Sequence, residues 1–366
     1  MGLKLLFICK RRPMGRDLIT GPYGRFFHLP RELAARGHDV ELDVLSYRAG
    51  EDAEGTIDRV RWQSHSLRPN PVRAWRRLVQ RVDAAAPDWI VGCSDTYFGI
   101  AAVALARRHG ARALVDAYDN YEAYLPWCTP LHALWRRAVA AADLVTVAGP
   151  SLATLLGAAR PGRAPLVLPM APDPAGFVLL DRYRSRARLG LAPDGLYAGY
   201  SGSIARSRGI EVLFEAFRLA REQRPGLELL LSGRLERGVV LPRGARYLGY
   251  VPAALVPVVL NSFDVMVAVN EDSAFGNYSF PIKLYEAMNC GVPVLATRTA
   301  STAWMLAGHP ELLVPPGDPA ALATAIVGAC AQGRIVYGGE RPDWAANAAA
   351  LEAALNAPGF SRRAGS

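Results

Sequence analysis

The densest chemistry in the sequence lies in the run Asn270-Glu-Asp-Ser-Ala-Phe-Gly-Asn-Tyr-Ser-Phe-Pro-Ile-Lys-Leu-Tyr-Glu-Ala-Met-Asn-Cys-Gly-Val-Pro-Val-Leu-Ala296. An apolar strand leads into a polar loop holding Gly276, and Pro281 then opens a helix that stops at Gly291. Loop and helix-start N–H groups have no partner within the helix, and their partial positive charge suits a phosphate. Lys283 and Glu286 are three apart and share a helix face. On a solvated helix they would form an ordinary surface ion pair. The apolar neighbours Ile282, Leu284, Tyr285 and Met288 argue instead for a helix that is largely buried. Upstream, Gly202-Ser-Ile-Ala-Arg-Ser-Arg-Gly209 adds Arg206 and Arg208, which stand either beside the same anion or on a solvated loop.

The first half carries sparser signals. Gly21-Pro-Tyr-Gly24 links an apolar strand to a helix starting near Arg25-Phe-Phe-His28, where His28 reads as a core or helix-surface residue rather than a catalytic one. In Val115-Asp-Ala-Tyr-Asp-Asn-Tyr-Glu122, Asp116 and Asp119 stand at the carboxyl end of a strand, well placed to deprotonate or orient a hydroxyl. Asp and Asn at such a position also cap turns, so both roles stay open.

These residues need a scaffold, and the pattern supplies one. Strand Leu3 to Cys9, helix Phe26 to Arg36 and strand Asp39 to Ser46 form a βαβ unit, and the alternation continues to the strand Leu144 to Val147. It lapses in a Pro-rich stretch between Pro161 and Asp194, then restarts at Leu196 and runs to a helix over Pro319 to Ala331. Alternating apolar strands and helices imply parallel sheets covered on both faces. The expected organisation is a first doubly wound domain over 1–168, a linker over 169–194, a second such domain over 195–340, and a C-terminal helix with a basic tail over 341–366. Open α/β sheets bind ligands at the carboxyl ends of their strands.

Composition narrows the class. Of 366 residues, 51% are hydrophobic and 20% charged, which is enough apolar material for two cores and too little charge for a disordered chain. The net charge of +9 points to an acidic partner: a phosphorylated substrate, an anionic membrane or nucleic acid. No nucleic-acid-binding motif accompanies the charge, so that partner is not expected. Five cysteines without C-x-x-C spacing argue against a disulfide scaffold or cysteine zinc site and favour a reducing, cytoplasmic setting. The run Leu5 to Cys9 is too short for a signal peptide, and the apolar stretch Ala138 to Ala159 is broken by Asp143 and Gly149-Pro150. Two basic segments, Lys10 to Arg36 and Arg68 to Arg81 with Trp75, suggest peripheral contact with anionic membrane at its inner face or, equally, solvated helix faces.

The residues Glu286-Ala-Met-Asn-Cys-Gly-Val-Pro-Val-Leu-Ala296 resemble the second domain of GT-B glycosyltransferases of the family 4 or group 1 kind. Gly202-Ser-Ile-Ala-Arg-Ser-Arg-Gly209, Leu248-Gly-Tyr-Val251, Phe263-Asp-Val-Met-Val267 and Val314-Pro-Pro-Gly-Asp-Pro319 extend the resemblance, as does Leu168-Pro-Met-Ala-Pro-Asp173 more loosely. Three positions depart from the family pattern. Tyr278 stands where the first of two glutamates spaced by eight belongs, Ser203 replaces a loop arginine, and Tyr118 replaces a histidine. Glu271 and Asp272 are near the missing glutamate but displaced, and Phe280-Pro-Ile-Lys-Leu-Tyr-Glu286 resembles a branch whose lysine serves the nucleotide diphosphate.

The resemblance implies two Rossmann-like domains facing a cleft and transfer of a sugar, with retention, from a nucleotide-diphosphate donor to a glycan or lipid-linked acceptor. It implies a donor site of Gly24, Ser203, Arg206, Arg208, Tyr278, Ser279, Lys283 and Glu286, with Glu286 on the ribose. Asp119 or Asp116 would serve the acceptor, and no metal or other cofactor is expected. The departures leave open an inactive nucleotide-binding scaffold, and the fold also admits a sugar-nucleotide epimerase.

Overall fold

The computed structural model describes residues 2–173, 176–338 and 341–357, which fall into two compact units. The first runs to Met170 and takes back the described residues from Pro342 onward; the second spans Ala171–Arg341.

In the first unit the strands are β1 (Lys4–Lys10), β2 (Asp39–Ala49), β3 (Ala53–Ile57), β4 (Val60–Arg68), β5 (Trp89–Cys93), β6 (Arg112–Ala117), β7 (Leu144–Val147) and β8 (Leu166–Val167). They lie in the order β3-β4-β2-β1-β5-β6-β7-β8, all neighbours parallel except the β3–β4 hairpin. Central strands such as Leu5 to Cys9 and Trp89 to Cys93 are buried along their whole apolar run, as helices on both faces require. The helices are α1 (Arg25–Ala35), α2 (Pro71–Ala85), α3 (Thr96–His109), α4 (Thr129–Ala141) and α5 (Pro150–Gly157). The connections through α2, α3 and α4 run one way along the sheet, so right-handed crossovers set these helices on one face, and α1 goes to the other. Asn70 and Asp95 cap α2 and α3, each side chain accepting from a first-turn N–H.

The second unit holds α6 (Arg182–Arg188), β9 (Leu196–Ser201), α7 (Ile210–Gln223), β10 (Leu227–Ser232), β11 (Ala245–Gly249), α8 (Val256–Ser262), β12 (Val265–Ala268), α9 (Lys283–Asn289), β13 (Val294–Thr297), α10 (Ala300–Met305), β14 (Leu313–Val314) and α11 (Pro319–Gln332). Its six-stranded sheet has the order β11-β10-β9-β12-β13-β14 and is parallel throughout. The inward residues Ile210, Leu213 and Phe217 of α7 pack with Leu322 and Ile326 of α11 in one core against the sheet.

Two segments differ from the sequence reading. The stretch expected as a linker contains α6, whose Arg186 donates to Asp264, Ser262 O and Pro193 O, so this helix is anchored in the second unit. The C-terminal helix Trp344–Leu355 is no separate appendage. It packs on α1 in the first unit, where Trp344 stacks on His28 at 5.5 Å, Glu352 pairs with Arg36 at 2.5 Å and Asn347 donates to Pro169 O. The basic tail expected beyond it lies outside the described residues.

Candidate active site

In the second unit the carboxyl end of β9 turns sharply at Gly202 (φ +145°), and β10 does the same at Gly233 (φ +129°). The two turns touch: a Cβ at Gly233 would lie 1.8 Å from Gly202 O. A Gly233→Ala change should therefore cost about 1–3 kcal/mol from backbone conformation alone, with the clash in addition. Urea unfolding of the variant measures it, and a native midpoint would show that the turn tolerates a side chain.

Around this turn the structure gathers a cationic cluster. Lys283, the first residue of α9, places its Nζ 4.0 Å from the Tyr200 ring centroid and 3.4 Å from where a Cβ on Gly202 would stand. The bare glycine leaves room for the ammonium. Burial pushes the lysine down to about 7, the nearby Arg208 guanidinium pushes the same way, and Glu286 one turn along α9 opposes both. Tyr200 donates to Ser203 O at 2.7 Å, fixing the loop after β9. Arg208 lies 4.2 Å over the Phe275 ring, and Gly209 (φ +73°) then opens α7 with no side-chain cap. Glu271 packs against Gly209, its Cγ 3.3 Å from a Cβ placed there.

Of the donor residues expected from sequence, Ser203, Arg208, Lys283 and Glu286 are thus brought together. Arg206 is turned away: its guanidinium is exposed, paired with Glu211 at 3.1 Å and bonded to Gly238 O. Tyr278 closes a short turn over Gly276–Tyr278, and Ser279 is buried, its carbonyl accepting from Ser301 Oγ at 2.6 Å. The helix itself begins at Lys283, two residues later than expected. Tyr200, Phe275 and Asn270 were not singled out by sequence. Asn270 is buried just past β12 with its backbone held by Thr297 Oγ1, and its side-chain nitrogen has no partner among the described residues.

In the first unit the two candidate aspartates part ways. Asp116 is buried near the end of β6, receiving Arg25 Nε at 2.8 Å and Nη2 at 2.6 Å together with the Thr146 hydroxyl. Arg25, 1% exposed, also donates to Leu168 O. This carboxylate is committed to holding α1 and β7 against β6, which corrects the expectation that it could work as a base. Asp119, beyond the strand end, accepts from Tyr124 Oη at 2.7 Å. Tyr118 is buried edge-on to Phe26. His28 is buried against Trp344, which makes it the core residue of the two alternatives the sequence left open. Gly24 (φ +65°) opens α1, and a Cβ there would meet nothing within 4 Å, so the space over its α-carbon is open. Ser94, after β5, adopts φ +78°, a conformation that non-glycine residues seldom take, and its Oγ accepts from Lys10 N.

Among the described residues no three His, Cys, Asp or Glu side chains are placed to hold a metal ion. No helix among them is long and apolar enough to cross a membrane.

A family model described as glycosyl transferases group 1 matches residues 195–332, and one described as glycosyl transferase 4-like domain matches residues 20–171. The D-inositol 3-phosphate glycosyltransferase of Jonesia denitrificans is 32% identical over 152 residues, covering 38% of this chain and 35% of that protein. The phosphatidyl-myo-inositol mannosyltransferase of Mycobacterium leprae is 35% identical over 127 residues, covering 33% of each. The matches thus span about a third of the length of these relatives. A solved structure of HepE from Anabaena in complex with UDP and glucose superimposes with a TM-score of 0.70 at 17% identity, covering 96% of this chain and 95% of that one. With two Rossmann-like units of the GT-B kind, and with family models covering most of both, the chain belongs to the group 1 glycosyltransferases.

Proposed function

We propose that the protein transfers a sugar from a nucleotide-diphosphate donor to a hydroxyl of a glycan or lipid-linked glycan, with retention of anomeric configuration. The observation that carries this reading is the grouping of Lys283, Arg208 and Ser203 at the glycine turn after β9. As the anomeric carbon–oxygen bond breaks, negative charge grows on the departing diphosphate, and fixed cations at that spot stabilise the transition state more than the ground state. The acceptor oxygen forms the new bond to the anomeric carbon, and its proton passes to the leaving phosphate. In this reading Glu286 accepts hydrogen bonds from the ribose, and Tyr278 and Ser279 border the donor on the loop before α9. Arg206 is left to the surface. Asp119, held by Tyr124, orients the acceptor hydroxyl, and the open space over Gly24 lets a ligand approach the start of α1. Cationic side chains and backbone N–H groups meet the charge, so no cofactor enters the scheme.

UDP, GDP and their sugars supply the test, read by calorimetry for binding and by nucleoside-diphosphate release for turnover. HepE bound to UDP and glucose and the inositol-related relatives make UDP-sugars and inositol-containing acceptors the first panel. Glu286→Ala should lower efficiency about tenfold to a hundredfold, the loss of a charge-assisted hydrogen bond of roughly 1.5–3 kcal/mol. Wild-type donor kinetics in that variant, or no binding of any donor by the native protein, sinks the reading.

A further inference from the structure

The sheet of the first unit breaks its own pattern beneath α2. Alternate residues of β2 face opposite ways, and Val40, Leu42 and Val44 make one face apolar, as a covered parallel sheet requires. On the other face stand Glu41 and Asp43, beside Gln63 and His65 of β4. Helix α2 packs through Ala74, Leu78 and Val82, but its flank over these four residues is Arg77, Gln80 and Arg81. Between helix and sheet lies a cleft of about 580 Å³, floored by Ala84 and Ala85 and rimmed by Asp52 to Glu54 of the β3–β4 hairpin edge. That volume falls within the roughly 300–1,000 Å³ of small-molecule sites. The cleft is three strands along the sheet from β6, beyond whose end Asp119 stands. Polar residues where the fold calls for an apolar layer mark a place kept for something other than packing.

Part of the basic run on α2 belongs to this cleft. Arg77 turns to Asp52, and Arg81 turns to Glu41 and Asp43, which overturns the expectation that the whole run from Arg68 to Arg81 faces outward. The charges are close but poorly aligned. Arg81 Nε is 2.9 Å from Asp43 Oδ1 and Nη2 is 2.9 Å from Glu41 Oε2, yet neither carboxylate oxygen accepts a hydrogen bond there. Asp43, wholly buried, accepts none from any described residue, and His65 Nε2, also without a partner, stands 3.8 Å from it. Buried polar groups are as a rule satisfied, so unmet donors and acceptors side by side call for a partner that does both. A hydroxyl donates and accepts, whereas an ammonium would meet only the carboxylates and an anion only the guanidinium.

We propose that the cleft beneath α2 is a saccharide-binding site separate from the transfer centre. Sugar hydroxyls meet Glu41, Gln63 and His65 and, as the Arg81 side chain turns onto the ligand, Asp43, while a C–H face of the ring rests on Ala84 and Ala85. The site holds acceptor or product glycan; that corollary rests on the transfer reading, whereas the binding does not. Saturation-transfer NMR on the whole protein is the test, with glucose, mannose, N-acetylglucosamine and myo-inositol as probes and 1,4-diaminobutane as the cationic control. At least one sugar should receive saturation. Ala84→Tyr fills the cleft from an exposed helix position and should abolish that signal. Gln63→Ala should weaken affinity about twofold to tenfold, the loss of one neutral hydrogen bond. Both variants should keep the native circular dichroism and nucleotide titrations. No signal from any sugar, a signal that survives Ala84→Tyr unchanged, or tighter binding of 1,4-diaminobutane than of every sugar would each overturn the proposal. Sugar binding that Ala84→Tyr removes, in a protein that turns over no nucleotide sugar, would defeat the transfer reading alone.

Discussion

Replacing Lys283 by methionine is expected to lower donor kcat/KM about tenfold to a hundredfold and to flatten its dependence on pH. The magnitude is that of one charge-assisted hydrogen bond lost at an enclosed site. The pH behaviour follows from the ammonium being pushed down to about 7 by burial and by Arg208. Near neutrality the empty site is only partly protonated, yet a diphosphate binds the charged form, so binding draws in a proton. Native donor affinity should therefore fall as pH rises through about 7. Stability of the empty protein should move the other way. The folded lysine titrates below its ordinary value of 10.5, so between about 7 and 10.5 the unfolded chain holds more protons and folding is favoured by raising pH. Calorimetry in buffers of different ionisation enthalpy reads the proton uptake directly. A native affinity constant across that range, or a methionine variant that binds as the native protein does, would remove Lys283 from the donor site.

What the sequence could reveal depended on how local the cause was. Continuous apolar runs such as Leu5 to Cys9 and Val265 to Ala268 announce buried parallel strands, because both of their faces are covered. The β3–β4 hairpin stayed hidden for the opposite reason. Ala53–Ile57 is largely exposed and polar, and its turn uses Asp58 and Arg59 at positive φ where Asn-Gly would have been an evident signal. Helix α6 lay unread in a Pro-rich stretch: it is only seven residues long, and beyond its Asp181 cap it is anchored by Arg186 meeting Asp264, a partner 78 positions away. At the site, Lys283 was legible from its apolar helix neighbours. Arg206 and Arg208, two apart on the same loop, could not be told apart until Glu211 was seen to hold the first and Phe275 the second. Tyr200 lies on a strand 83 positions from Lys283 in sequence, and nothing local marks it as the ring beneath that ammonium.

The same non-local logic governs Asp116, whose partner Arg25 is 91 positions away, and it sets the largest stability effect expected here. Asp116→Ala should destabilise the first unit by about 3–5 kcal/mol, because it strands a guanidinium that is almost wholly buried. Set against a typical total of about 5–15 kcal/mol, that loss leaves the unit marginal or unfolded. Changing both partners, Arg25→Met with Asp116→Leu, removes the buried charges together and should cost less than the single change, since an apolar pair needs no desolvated partner. Asp116→Asn separates structure from chemistry. Its amide oxygen can still accept from Arg25, so a folded variant should keep its turnover within a few-fold when measured well below its melting temperature. A folded Asp116→Asn protein with native stability and abolished turnover would instead return this carboxylate to the reaction, and urea unfolding beside initial rates on one preparation decides between the two.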